Sequence, residues 1–145
     1  PAAKSLEDDV VKCLQDPSWK IRGAAVEALS SIGSAEAHGE ALEKLLEDAH
    51  GDVRFAAVEA LGRAPASHIK AFAQALTSEK DEGVQMAAAV ALGKAGSAAA
   101  AHAEALAALL DSSNLQLRLA GANCFAKLGD AAVPHLQKLL ALCEE

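Results

Sequence analysis

Tyrosine is absent from this 145-residue chain, and one Trp and three Phe make up its whole aromatic complement. Sandwiches and barrels fill their pleated faces with aromatic and β-branched side chains, so neither fold is expected. Basic residues are also scarce, with 13 Lys and Arg against 20 Asp and Glu and a net charge of -7. Such a balance repels a phosphate backbone, and no basic face is clustered to offset it, so no nucleic-acid partner is expected. No apolar run approaches membrane-spanning length, so no membrane insertion is expected. Three cysteines, Cys13, Cys124 and Cys143, are an odd number without metal-ligand spacing. They read as reduced core thiols. No charged-then-apolar leader opens the sequence, and the expected compartment is intracellular and reducing: the cytoplasm, or an organelle such as a plastid stroma.

What the chain does have is alanine, about a quarter of its residues, within a hydrophobic fraction of 52%. Alanine is the strongest helix former, and its small side chain lets helices pack closely. An all-helical protein follows.

Internal repetition gives that helical content an order. Four segments align, from Ile21 to Leu29, Val53 to Leu61, Val84 to Leu92 and Leu117 to Phe125. Their starts are offset by 32, 31 and 33 residues. Each has an aliphatic residue first, Ala or Gly fifth, and Leu or Phe ninth, positions that share one helical face. Gly33, Pro65, Gly96 and Gly129 then stand at one shared offset, where each first helix should stop. A second helix follows each break, with buried stripes Leu42, Leu45, Leu46; Phe72, Ala75, Leu76; Leu106, Leu109, Leu110; and Leu136, Leu139, Leu140. A hairpin of a little over thirty residues cannot cover its own apolar face, so the units must stack.

The expected organisation is one domain over 1–145. An orphan second helix at 5–15, opened by Ser5 and Asp8, precedes repeats at about 17–48, 49–79, 80–112 and 113–145.

The pattern resembles the HEAT-repeat family, in particular the short HEAT-like repeats of phycobilisome-lyase type. Asp16 through Arg22 is similar to that family's loop and helix opening, as is Asp48 through Arg54. Ala131 through Leu136 is similar to its second-helix start. The resemblance spans the chain and implies an all-α, right-handed α-solenoid of antiparallel helix hairpins, a HEAT-like or armadillo-type superhelix. It says little of function, because this fold carries many roles.

Asp16 and Arg22 are six residues apart, as are Asp48 and Arg54. A carboxylate there can accept from helix-start amides, and the Arg can pair with it or with its neighbour in the next repeat. The third unit offers Glu79 and Gln85, and the fourth offers Asp111, one place early, against Arg118.

His38, His68 and His102 each stand eight residues before Leu46, Leu76 and Leu110, with Ala132 at the fourth such place. Equivalent positions on stacked helices are about 10 Å apart, too far to share an ion at bonds of about 2 Å. A half-buried imidazole bridging adjacent second helices is expected instead, with no metal site. The HEAT-type deoxyhypusine hydroxylases hold iron with adjacent His-Glu dipeptides. Here His38-Gly39-Glu40 and His102-Ala103-Glu104 insert a residue. No phosphate loop or nucleophile elbow is present either. Neither catalytic residues nor a cofactor are expected.

The expected function is therefore a non-catalytic protein-interaction scaffold or structural subunit, working within a larger complex or a longer repeat array. Candidate contact residues on the outward positions of the second helices are Glu40, Glu43, Lys70, Gln74, Glu104, Gln137 and Lys138. Trp19, in the loop before a first helix, is expected to pack across the turn, with an exposed partner anchor as the alternative. Uncapped ends add Val10, Leu14, Leu139 and Leu142, since solenoids normally need polar caps. The alternative is a phycobilin-lyase-like protein that handles a chromophore, for which Lys44, Lys70 and Lys138 are the available second-helix cations.

Overall fold

The computed structural model describes residues 2–144, apart from the side chains of Ala2, Leu142 and Cys143. Among the described residues there are helices and turns and no strand. The chain divides into two compact units, residues 1–64 and 65–145. The division falls inside the second expected hairpin, between its two helices.

The first unit holds α1 (Ala2–Cys13), α2 (Trp19–Ser31), α3 (Gly39–Lys44) and α4 (Gly51–Leu61). The orphan helix expected at 5–15 thus begins and ends earlier, and Ser5 lies inside it rather than at its cap. Leu14, just past the helix end, is 3% exposed. The expectation that it faces an uncovered flank is wrong, because the turn after α1 folds it into the core. α2 packs between α1 and α4, and α3 lies against α4.

The second unit holds α5 (Ile69–Ser78), α6 (Glu82–Ala95), α7 (Ala103–Leu109), α8 (Leu115–Leu128) and α9 (Leu136–Cys143). α6 packs against α5 and α8, and α7 against α8. This is the all-α repeat class expected of an α-solenoid.

The repeated positions explain the packing. Val53, Ala57 and Leu61 are buried on α4, Val84, Ala88 and Leu92 on α6, and Leu117, Gly121 and Phe125 on α8. On α2 only Ala25 and Leu29 of this set are buried, and Ile21 is exposed. The small fifth residue is a steric requirement at Gly121. A Cβ there would meet Leu109 Cβ at 3.1 Å and the Leu106 carbonyl oxygen at 3.2 Å. Between α6 and α8 the approach is closer still. A Cβ on Gly93 would stand 2.8 Å from Cys124 Sγ, which donates to the Ala89 carbonyl at 2.8 Å. Gly33, Gly96 and Gly129 end their helices with φ of 77°, 59° and 64°, a region L side chains avoid.

Each second helix is short and is reached through a 3-10 segment, at 36–38, 65–67, 96–102 and 129–135. Pro134 fits in the last of these, where an interior α-helical position would reject it.

Candidate functional site

The turns into the first helices are built alike from different side chains. The residue six places before position 22, 54, 85 or 118 gives its backbone carbonyl to that side chain. The four bonds are Arg22 Nη1 to Asp16 at 2.8 Å, Arg54 Nη1 to Asp48 at 2.8 Å, Gln85 Nε2 to Glu79 at 2.8 Å and Arg118 Nη1 to Ser112 at 2.9 Å. The same turn residue accepts, through its side-chain oxygen, from the amide two places on: Ser18, His50, Asp81 and Asn114. In the fourth repeat this role belongs to Ser112. Asp111 instead accepts from Lys138 Nζ at 2.8 Å, because its side chain starts one residue too early.

Two contacts in the first unit link successive turns. Arg22 donates through Nε and Nη2 to Asp48 at 2.7 and 2.8 Å, so the arginine pairs with the next repeat's acid. That guanidinium, with the His50 amide, holds the Asp48 carboxyl below the ordinary carboxylate range. Trp19 stacks on His50, with ring centroids 3.8 Å apart and planes 5° apart. Lys20 Nζ lies 5.7 Å from the Trp19 ring centre. Trp19 is thus half-buried and already partnered by the next repeat's turn, so it does not stand free as an anchor. The remaining helix starts are capped by Asp81 and Asn114, whose side chains accept from amides of the first turn.

Histidine fills one backbone place four times. His38, His68, His102 and His135 each precede a second helix directly, with φ from -125° to -106° and ψ from 4° to 24°. The fourth member is His135, and Ala132 is not equivalent to it. His38 Nε2 meets Glu7 Oε1 of α1 at 2.7 Å, and His135 Nε2 lies 3.7 Å from Glu104 Oε1 of α7. In each case the imidazole reaches back to the preceding second helix. Hydrogen bonds from His38 and Ser34 hold the Glu7 carboxyl below its ordinary range. Among the described residues no three His, Cys, Asp or Glu side chains converge as a metal site.

The His135 register also moves the last stripe. Counting four, seven and eight residues from the histidine gives Leu42, Leu45, Leu46; Phe72, Ala75, Leu76; and Leu106, Leu109, Leu110. For α9 it gives Leu139, Leu142 and Cys143. The sequence expectation of Leu136, Leu139 and Leu140 is three residues out of step. Accordingly Leu136 and Leu140 are 46% and 64% exposed, while Leu139 is half-buried. The side chain of Leu142 lies outside the described residues.

Of the candidate contact residues, Glu40 and Glu43 share α3 in the first unit, with Glu40 exposed and Glu43 half-buried. In the second unit Lys70, Gln74, Glu104, Gln137 and Lys138 are all exposed. Glu104 and Lys138 are partly engaged by His135 and Asp111. Val10 is half-buried. Asp48, past the end of α3, is committed to Arg22.

Sequence reasoning missed the outer faces of the first helices. Phe55, Met86 and Leu119 are exposed there, each one place after the turn-bonding side chain at 54, 85 or 118. Their recurrence at one offset was the available signal. Between α2 and α4 a groove of about 550 Å³ opens beside Phe55.

The family model described as HEAT repeats matches residues 2–62 and 39–108. The model described as PBS lyase HEAT-like repeat matches residues 117–141. Among solved structures, the chain is similar to one in the complex of CpcE and CpcF of phycocyanin lyase from Nostoc sp. PCC7120. That likeness has a TM-score of 0.74 at 16% identity, over 97% of this chain and 90% of that one. A crystal structure of an engineered protein is similar with a TM-score of 0.65 at 22% identity, over 93% of this chain and 67% of that one. At such identities the likeness is one of fold. No curated protein matches significantly.

Proposed function

The chain belongs to the HEAT-repeat family, and we propose that it is a non-catalytic protein-binding scaffold or structural subunit of a larger assembly. The observation that carries this reading is how the second helices divide their faces. The apolar stripes of the first three are buried, while Glu40, Lys70, Gln74 and Glu104 on them, and Gln137 and Lys138 on α9, stay at the surface. Stacked helices held by side-chain-to-backbone bonds in every turn present such positions with little left to order on binding. The exposed Leu136 and Leu140 of α9 extend the contact surface to an apolar face. Among the described residues no helix is long and apolar enough to cross a membrane. The buried free thiol of Cys124 suits a reducing compartment.

The test is retention of partners from native extract by the wild-type protein and by Glu40→Lys, Lys70→Glu and Glu104→Lys variants. Loss of specific partners on charge reversal is the expected result. Retention of every partner by all three variants would remove these residues from the interface.

A second reading, chromophore handling, draws on the match of residues 117–141 to a PBS lyase HEAT-like repeat and on the likeness to the phycocyanin lyase complex. A linear tetrapyrrole needs cations for its propionates. Lys138 is tied to Asp111, and Lys44 and Lys70 lie on separate helices. Mixing with a bilin separates the two readings: a shifted, saturable visible band supports the second, and an unchanged spectrum leaves the scaffold.

A further inference from the structure

We propose that the groove between α2 and α4 docks a basic, amphipathic segment of a partner protein. It would take a Lys or Arg against Glu27 and Glu59 and an apolar side chain against Phe55. This surface lies on the first helices, separate from the second-helix positions above, and does not depend on them.

The groove has an apolar floor and an acidic rim. Val26 and Ala60 form buried wall, Ala56 is half-buried, and Phe55 leaves 44% of its surface in water. Its volume of about 550 Å³ is in the range of ligand-binding clefts. Glu27, Asp52 and Glu59 supply the charge. Among the described residues Glu27 and Glu59 have no hydrogen bond or ion pair, and Asp52 has only His50, at 3.7 Å. Against these three acids the lining sets one cation, Arg63. Its Nη1 donates to the Ser30 carbonyl at 2.7 Å, satisfying an acceptor in the last turn of α2.

The fold does not require these acids. Position for position, Glu27 and Glu59 correspond to Val90 and Asn123 in the second unit, where the same helical repeat forms without charge. The unit 1 groove therefore combines an exposed aromatic face with carboxylates in excess of cations. A cationic side chain answers both, lying over the ring with its stem while its head meets the acids. The net charge of -7 favours approach of a basic partner from a distance. An acidic or neutral segment would meet repulsion or leave the carboxylates unmatched.

The experiment titrates isotope-labelled protein with three 14-residue peptides: an amphipathic Leu/Lys helix, its Leu/Glu counterpart and a Ser/Lys peptide. Expected is saturable binding of the Leu/Lys peptide, with backbone resonance shifts gathered at Val26, Phe55, Ala56 and Ala60. Glu27→Gln/Glu59→Gln should weaken it at least tenfold, as should Phe55→Ser. Glu36→Gln/Asp130→Asn, at exposed acids outside both surfaces, should leave it unchanged. Circular dichroism checks that each variant folds, and Phe55→Ala replaces Phe55→Ser if the latter does not. Shifts centred on the second helices, equal binding of Ser/Lys or Leu/Glu, or indifference to Glu27→Gln/Glu59→Gln would each overturn the proposal. Self-association of the free protein that Phe55→Ser abolishes would overturn it too, by assigning the groove to a second copy.

Discussion

Arg22 and Asp48, 26 residues apart, meet through two parallel charge-assisted hydrogen bonds of 2.7 and 2.8 Å. Both side chains are largely withdrawn from water, 15% and 7% exposed. The pair joins the turn before α2 to the turn before α4. Each partner also bonds to backbone, Arg22 donating to the Asp16 carbonyl and Asp48 accepting from the His50 amide.

Asp48→Ala should therefore cost about 2–3 kcal/mol in denaturant unfolding, because it strands a guanidinium and an amide together. Asp48→Asn keeps an acceptor for His50 and should cost less. A loss below about 0.5 kcal/mol for Asp48→Ala would show the pair to be an ordinary surface contact.

Acid should reveal the same pair. Asp48 and Glu7 have folded-state pKa values below their ordinary ones, so the folded protein binds those protons less readily than the unfolded chain. Their stabilisation is full above the ordinary carboxylate range and is lost as pH falls through it to the depressed folded values. Wild-type stability should decline through that window, and Asp48→Asn should flatten part of the decline. Parallel profiles for the two proteins would sink this assignment.

Gly93 and Cys124 should be coupled. Gly93→Ala places a methyl 2.8 Å from Cys124 Sγ, and overpacking of this kind costs about 1–3 kcal/mol, against a helix-propensity gain of about 1 kcal/mol. In a Cys124→Ala background the obstruction is gone and the propensity gain should emerge. A double-mutant cycle should give an interaction energy of about 1 kcal/mol or more. Strict additivity would mean the helices simply move apart.

Gly23 and Gly129 should respond in opposite directions to alanine, although a Cβ meets nothing within 4 Å at either. Gly23 is inside α2, so Gly23→Ala should stabilise by about 0.5–1 kcal/mol. Gly129 has φ 64°, so Gly129→Ala should destabilise by about 1–3 kcal/mol through backbone strain alone. Thermal unfolding of the two variants decides it.

The repeats were legible because the aliphatic, small and leucine positions of the first helices recur at helical spacing and must be buried to stack. Val53, Ala57 and Leu61 are buried as that spacing demands. The turn chemistry was only half legible. A search for acids six places before arginine finds Asp16 and Asp48 but passes over Ser112, since the turn needs any side-chain oxygen within reach of the amide two residues on. For Trp19 the sequence leaves packing across the turn and an exposed anchor both open, because its partner, His50, arrives from the following repeat. The groove beside Phe55 depends on two helices meeting, which no single helix pattern contains.

The register of α9 was illegible for a different reason, and it yields the last prediction. Leu136, Leu139 and Leu140 satisfy the same i, i+3, i+4 rule as Leu139, Leu142 and Cys143, so a leucine-rich helix admits two stripes. What decides between them is the backbone of His135, which takes the helix-start conformation shared with His38, His68 and His102. That conformation puts Leu136 and Leu140 in solvent. Leu140→Lys should then change unfolding free energy by no more than about 0.5 kcal/mol, as surface substitutions do. Leu106→Ala, at a fully buried stripe position, should cost about 2–5 kcal/mol. If Leu140→Lys proved as costly as Leu106→Ala, the leucine would be a core residue and the histidine register would fail for the fourth repeat.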